Sequence, residues 1–257
     1  MAWHLCGWRQ TIEAPILAEL DLIPDDVLTR SGTKRFLVPA DYRFVQFAVA
    51  TGGNLTDARL RTPSLTVRRM DVVITPHRRG GQFISPGWPE VHRPPRPVML
   101  APTEELTALA SEDASGADTL TVLCALGPET LPPAPAGDVR TIVFQGNTTL
   151  TPGVWTTVPV TPEYSLEPGS YSLTGFIPIS ANCIAARVIF PAGTYRPGYP
   201  GFAGTYAVAN DFNPTTISPF WNVNLGTFTH ITIPQFQFLA SAADTVQTVV
   251  AFVVKVG

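Results

Sequence analysis

The sequence predicts an all-β chain made of two tandem antiparallel sandwiches, and three observations carry that expectation. Its 257 residues include 26 Pro and 20 Gly, a Pro or Gly about every 5–6 residues, which leaves little room for helix interiors. Short runs of β-branched and aromatic residues recur between turn residues. Two short matches repeat in the same order at nearly the same offset, on either side of a proline-rich connector. The chain is also 45% hydrophobic with a net charge of -3, so it has the material for a packed core and lacks the signature of disorder.

Taken in chain order, the N-terminal 35 residues read as a short arm, and the one helix the sequence allows falls here, at Thr11 to Leu20 or Pro24 to Thr29. Strand signals begin at Phe36-Leu-Val and continue through Tyr42-Arg-Phe-Val-Gln-Phe-Ala-Val, a turn at Thr51-Gly-Gly-Asn, Ala58-Arg-Leu-Arg and Val72-Val-Ile. Pro76 to Pro97 is too broken by proline to be regular and reads as a long loop. Leu106-Thr-Ala-Leu and Thr119-Leu-Thr-Val-Leu-Cys-Ala-Leu close the first half. Residues 128–138 hold four prolines and form a stiff linker, which divides the chain into 1–127 and 139–257. Beyond it come Thr141-Ile-Val-Phe, Gly153 to Val158, Tyr171 to Ile177, Ala186 to Phe190, Thr229 to Ile233 and Thr245 to Val256.

The halves share anchors. Ala58-Arg59-x-x-x-Pro63 returns as Ala186-Arg187-x-x-x-Pro191, and Leu109-Ala-Ser followed by Ala117-Asp118-Thr returns as Leu239-Ala-Ser followed by Ala243-Asp244-Thr. A duplicated unit of about 120 residues fits one antiparallel sandwich. Long irregular stretches at 76–97 and 191–228 suit a jelly roll, which accepts insertions between its strands, better than an immunoglobulin-like sandwich.

Chemistry is sparse. No nucleophile-elbow, zinc-protease, phosphate-loop or dinucleotide pattern is present, and the predicted role is not enzymatic and uses no cofactor. Ser31-Gly-Thr-Lys34 matches Ser-x-x-Lys without its companion motifs. His4, His77, His92 and His230 are dispersed, so no metal site is expected. Glu104-Glu105 and Glu112-Asp113 read as solvated turns. Cys6, Cys124 and Cys183 are spaced as free or buried thiols. The N-terminus lacks signal-peptide features, which predicts synthesis in a cytoplasm.

Two segments are candidate contact surfaces. Residues 1–140 hold 14 of the 17 Lys+Arg, and Arg59, Arg61, Arg68, Arg69, Arg78, Arg79, Arg93 and Arg96 face only Asp71 and Glu90 in their stretch. Such a run suits a neighbouring subunit's acids, nucleic-acid phosphates or a solvated loop. The second segment is aromatic and glycine-rich: Tyr195, Tyr199, Phe202, Tyr206, Phe212, Phe220 and Trp221. Such rings serve as interface anchors, as a sugar-stacking platform or as cover for one end of a sandwich.

Tandem β halves joined by Pro132-Pro-Ala-Pro135, a sparsely charged second half and long Gly/Pro/aromatic loops together resemble the double jelly-roll capsid proteins of icosahedral viruses. The resemblance is architectural and carries over no residue. It implies a virion structural protein made in the host cytoplasm, whose partners are copies of itself, as trimeric capsomers, and other virion proteins. Nucleic acid or an internal membrane would lie on the inner face. The alternative is a receptor- or carbohydrate-binding sandwich in an attachment, decoration or tail protein.

Overall fold

The structure, a computed structural model, describes residues 1–13, 15–28, 30–74, 76–78, 91–113, 116–203 and 223–256. Among them are 21 strands and one short helix. The chain forms two compact units: a first drawn from residues 5–78 and 91–129, and a second drawn from 1–4 and 130–256.

The first unit contains β1 (His4–Ile12), β2 (Ala18–Glu19), β3 (Arg30–Ser31), β4 (Arg35–Leu37), β5 (Phe44–Gly52), β6 (Leu55–Arg61), helix α1 (Pro63–Arg68), β7 (Val72–Val73), β8 (Pro76–Arg78), β9 (Val98–Met99), β10 (Glu105–Glu112) and β11 (Asp118–Gly127). One sheet runs β1-β11-β5-β8, with β9 also on β5; the other runs β3-β4-β10-β6-β7, with β2 also on β10. Trp8 of β1 stacks on Phe36 of β4 at 5.3 Å, so the two sheets face each other across a core that also takes Phe47, Leu60 and Leu123.

The second unit contains β12 (Val139–Gly146), β13 (Thr156–Val158), β14 (Val160–Pro162), β15 (Ser170–Ser180), β16 (Cys183–Ile189), β17 (Gly198–Pro200), β18 (Phe202–Ala203), β19 (Gly226–Thr229), β20 (Gln235–Ala240) and β21 (Gln247–Lys255). Its sheets run β14-β12-β21-β15-β18, with β19 also on β15, and β13-β20-β16-β17. Phe176 and Phe144, from the first of these sheets, meet Phe236 of the second at 5.2 and 6.1 Å. An all-β sandwich fold is therefore what the proline- and glycine-rich composition produces.

The pairing is nested in both units. Counting principal strands along each unit, strand one pairs with eight, two with seven, three with six and four with five: β1/β11, β4/β10, β5/β9 and β6/β7, then β12/β21, β13/β20, β15/β19 and β16/β17. Even the exceptions correspond, since β8 joins β5 and β18 joins β15 in parallel.

The repeated anchors explain themselves as a clip. In the first unit the Asn54 backbone N–H, in the β5–β6 turn, donates to Asp118 Oδ2 at 2.9 Å, and Asn54 Nδ2 donates to Gly116 O. The Asn54 carbonyl accepts from the Asp113 N–H. In the second unit the Ala181 N–H, in the β15–β16 turn, donates to Asp244 Oδ2 at 2.8 Å, Asn182 Nδ2 donates to Ala243 O, and the Asn182 carbonyl accepts from Ser241 N–H. Each aspartate also accepts from the backbone N–H of the threonine that follows it.

Three expectations need correction. Among the described residues of 11–20 and 24–29 there is no helix: β1 starts already at His4, and Asp25 accepts from the Val27 N–H in a local turn. The helix is α1, where Thr62 accepts from the Leu65 N–H and Pro63 occupies the first turn, a position that needs no N–H donor. The predicted strand at 229–233 ends at Thr229, because the Thr232 N–H turns back to the Thr229 carbonyl and leaves Ile231 in an exposed bend. Glu112 is wholly buried instead of solvated, at a register shift between Ser111 and Glu112 on β10. Cys6, Cys124 and Cys183 are free and buried.

Candidate interaction surfaces

Along β6, Ala58 and Leu60 point into the core of the first unit while Arg59 and Arg61 alternate outward. Neither guanidinium is idle. Arg59 Nε donates to Asp57 Oδ2 at 2.9 Å, and Arg61 Nε donates to Asp71 Oδ2 at 3.0 Å. Both arginines are held above their ordinary pKa, first by these hydrogen bonds. Arg35 is raised likewise, by Glu105 and then Glu19. The outer face of this sheet is thus laced with neutralised pairs and is not a uniform basic patch.

Arg68 and Arg69 behave differently. They end α1, both are exposed, and no ion pair forms to either among the described residues. The turn that carries them is pinned: the Ser64 N–H and hydroxyl donate to Glu104 at 3.1 and 2.7 Å, and Arg69 closes the helix with φ 56 and ψ 39. Arg93 and Arg96 are exposed on the segment leading into β9, held by a bridge between His92 and Ala48. Arg78 lies on β8 with only its backbone described, and Arg79 lies outside the described residues.

The aromatic segment of the second unit splits. Tyr199 is no platform: it is fully buried on β17, edge-on to Trp3 at 5.4 Å and to Phe176 at 5.2 Å. The inward turn has a cause, because β17 packs so close to β16 that a Cβ on Gly198 would sit 2.5 Å from the Ala186 carbonyl oxygen. Trp3 closes over it, donating its indole N–H to Gly198 O at 3.0 Å. Tyr195 is half-buried, 6.0 Å from the His4 ring. Phe202 has only its backbone described, in β18, and Tyr206, Phe212, Phe220 and Trp221 lie outside the described residues.

Sequence reasoning missed a buried polar cluster in this unit. Arg187, wholly buried, donates Nε–H to Gln237 Oε1 at 2.7 Å, lies 3.4 Å from His4 Nε2 through Nη1, and sits 4.4 Å over the Trp155 ring. Arg196 donates to the same Gln237 oxygen at 2.6 Å and, through its backbone N–H, to His4 Nδ1 at 3.2 Å. No three His, Cys, Asp or Glu side chains converge as metal ligands among the described residues.

A groove of about 260 Å³ opens beside β12, lined by Ile142, Val143, Tyr164, Leu166, Tyr171 and Val253. Glu163 stands exposed at its rim. Glu167 nearby accepts from Lys255 Nζ at 3.1 Å and Arg140 Nη1 at 3.2 Å, and these two cations hold its carboxyl below the usual range.

No family model matches the chain, and no curated protein matches it either. Among solved structures, the major capsid protein P2 of bacteriophage PM2 aligns over 97% of this chain and 98% of its own, at 8% identity and a TM-score of 0.24. A superposition so loose carries no inference about fold or function.

Proposed function

We propose that each unit is a jelly roll and that the chain is a non-enzymatic subunit of an icosahedral virus shell. The observation that carries this reading is the nested eight-strand pairing, present twice in one chain with the same parallel exceptions and the same turn-to-aspartate clip. It is joined by apolar side chains left in water: Ile16, Val67, Tyr164 and Ile231 are all mostly exposed, on a chain with few charges to keep it dispersed. In this reading three copies form a capsomer within a virion, other shell proteins are neighbours, and genome or an internal membrane faces the inner side. The glycan-platform alternative loses its central ring with the burial of Tyr199.

The experiment is to purify the chain and measure its mass in solution by light scattering across the micromolar range, then image any assembly by electron microscopy. Trimers or larger closed assemblies are the expected result. A species that stays monomeric at every concentration overturns the reading.

A further inference from the structure

The first unit ends its only described helix in a small rigid knob. Five successive residues, Thr66 to Met70, are exposed; Val67 is 85% exposed, Met70 64%, and Val73 on the neighbouring edge strand β7 55%. The knob is fixed in place by the Thr62 cap, by Glu104 holding Ser64 and by Asp71 clamping Arg61. A backbone already held in one conformation gives up little entropy when the apolar side chains it carries dock. Arg69 adds a second sign. Its left-handed φ of 56 is one that glycine adopts without strain, so keeping an arginine there costs stability and places a charge beside Val67 and Met70.

The second unit offers the counterpart. The groove beside β12 has an apolar floor of Ile142, Val143, Leu166 and Val253, with Arg140, Glu163 and Glu167 also in its lining, and no ion pair forms to Glu163 among the described residues. At about 260 Å³ it falls below the roughly 300–1,000 Å³ of small-molecule pockets, a size suited to a few protein side chains. Glu167 in the lining is already paired with Arg140 and Lys255, which leaves Glu163 as the lining carboxylate without an ion pair among the described residues.

We propose that the α1–β7 knob of one copy seats in the β12 groove of a second copy, with Val67 and Met70 entering the groove and Arg69 meeting Glu163. The occupant is a second copy because this chain carries both complementary halves, apolar against apolar and cation against carboxylate. The contact is heterologous, the kind that builds rings or larger assemblies instead of simple two-fold dimers. This inference rests on the shell-subunit reading and names the surface through which it acts.

The test uses two full-length variants. Val67→Asp with Met70→Asp disables the knob, and Glu163→Arg with Tyr164→Ala disables the groove. Each alone should raise the concentration needed for assembly at least tenfold, with an unchanged β-sheet circular dichroism spectrum. Mixed together they should form 1:1 dimers that grow no further, since each supplies the half the other lacks. Arg69→Gly separates docking from folding: it should not lower the thermal midpoint, yet it should weaken assembly. Wild-type protein that assembles while the knob variants assemble equally well overturns the inference and leaves the shell reading standing, as does a mixture that stays monomeric. Wild-type protein that never assembles removes both.

Discussion

Arg59 and Arg187 occupy the same place in the nested order, the fourth strand of their units, inside the same Ala-Arg-x-x-x-Pro sequence, and their surroundings are opposite. Arg59 projects outward onto Asp57, two residues away on its own strand. Arg187 is sealed under Trp155, His4 and Gln237, which come from elsewhere in the chain. What differs is the cover. In the second unit the segment Met1–His4 and the Tyr195-Arg196 stretch close over this arginine, whereas Arg59 has Val73 and solvent beside it. A duplicated position therefore keeps its backbone role while its side chain takes whatever role the added layer assigns.

The sharpest way to break this comparison is to delete both side chains. Arg187→Ala removes hydrogen bonds from a charged donor, a desolvated cation–π contact and buried volume, and should cost about 3 kcal/mol or more in denaturant unfolding. Arg59→Ala removes a partly exposed local ion pair and should cost about 0.5 kcal/mol or less. Equal losses would mean that the cover over Arg187 contributes nothing to its environment.

A smaller effect tests the feature the units share. Asp118→Ala and Asp244→Ala each remove a carboxylate that holds its strand turn through backbone N–H groups, and each should cost about 1–2 kcal/mol, an intermediate value because both sites are partly exposed. The comparison predicts that the two losses agree closely. A large difference in unfolding midpoints would show that the clip is decorative in one unit.

These features were unevenly legible in the sequence. The strands β5, β6, β10, β11, β12, β15 and β21 announced themselves as β-branched and aromatic runs bounded by turn residues, and the Asp118 and Asp244 anchors stood out because each lies in an Ala-Asp-Thr triplet that follows a Leu-Ala-Ser. β1 was hidden: His4 to Trp8 is buried at every position, so no alternation marks it. The helix had its signal in Thr62-Pro63, a cap followed by proline, but six residues with Thr66 and Val67 among them are too few to show a helical period. Nothing local distinguishes Arg187 from Arg59, since its partners His4 and Trp155 lie 183 and 32 residues away in sequence and meet it only through the tertiary fold. The inward Tyr199 was equally illegible, because its direction is set by how closely Gly198 lets β17 approach β16.

The finest distinction lies between two acids of the second unit, both held below their ordinary pKa by different means. Burial pushes Asp244 up, but the Ser180 hydroxyl and the backbone N–H groups of Val246, Ala181 and Thr245 outweigh it. Glu167 is held down by Lys255 and Arg140 at the surface. A carboxyl whose folded pKa is lowered contributes stability that is complete above its unfolded value, 3.8 for Asp244 and 4.5 for Glu167, and is lost as pH falls through the folded value. Salt separates the two mechanisms. Near 1 M the screening length shrinks to about 3 Å, which weakens exposed ion pairs and leaves short hydrogen bonds to fixed backbone N–H groups intact. In a carboxyl-carbon NMR titration the Glu167 midpoint should therefore climb toward its ordinary value at high salt while the Asp244 midpoint stays low. Equal movement of both would mean that the Asp244 clip acts through general charge and not through its directed hydrogen bonds, and the equivalence drawn between the two turns would lose its physical basis.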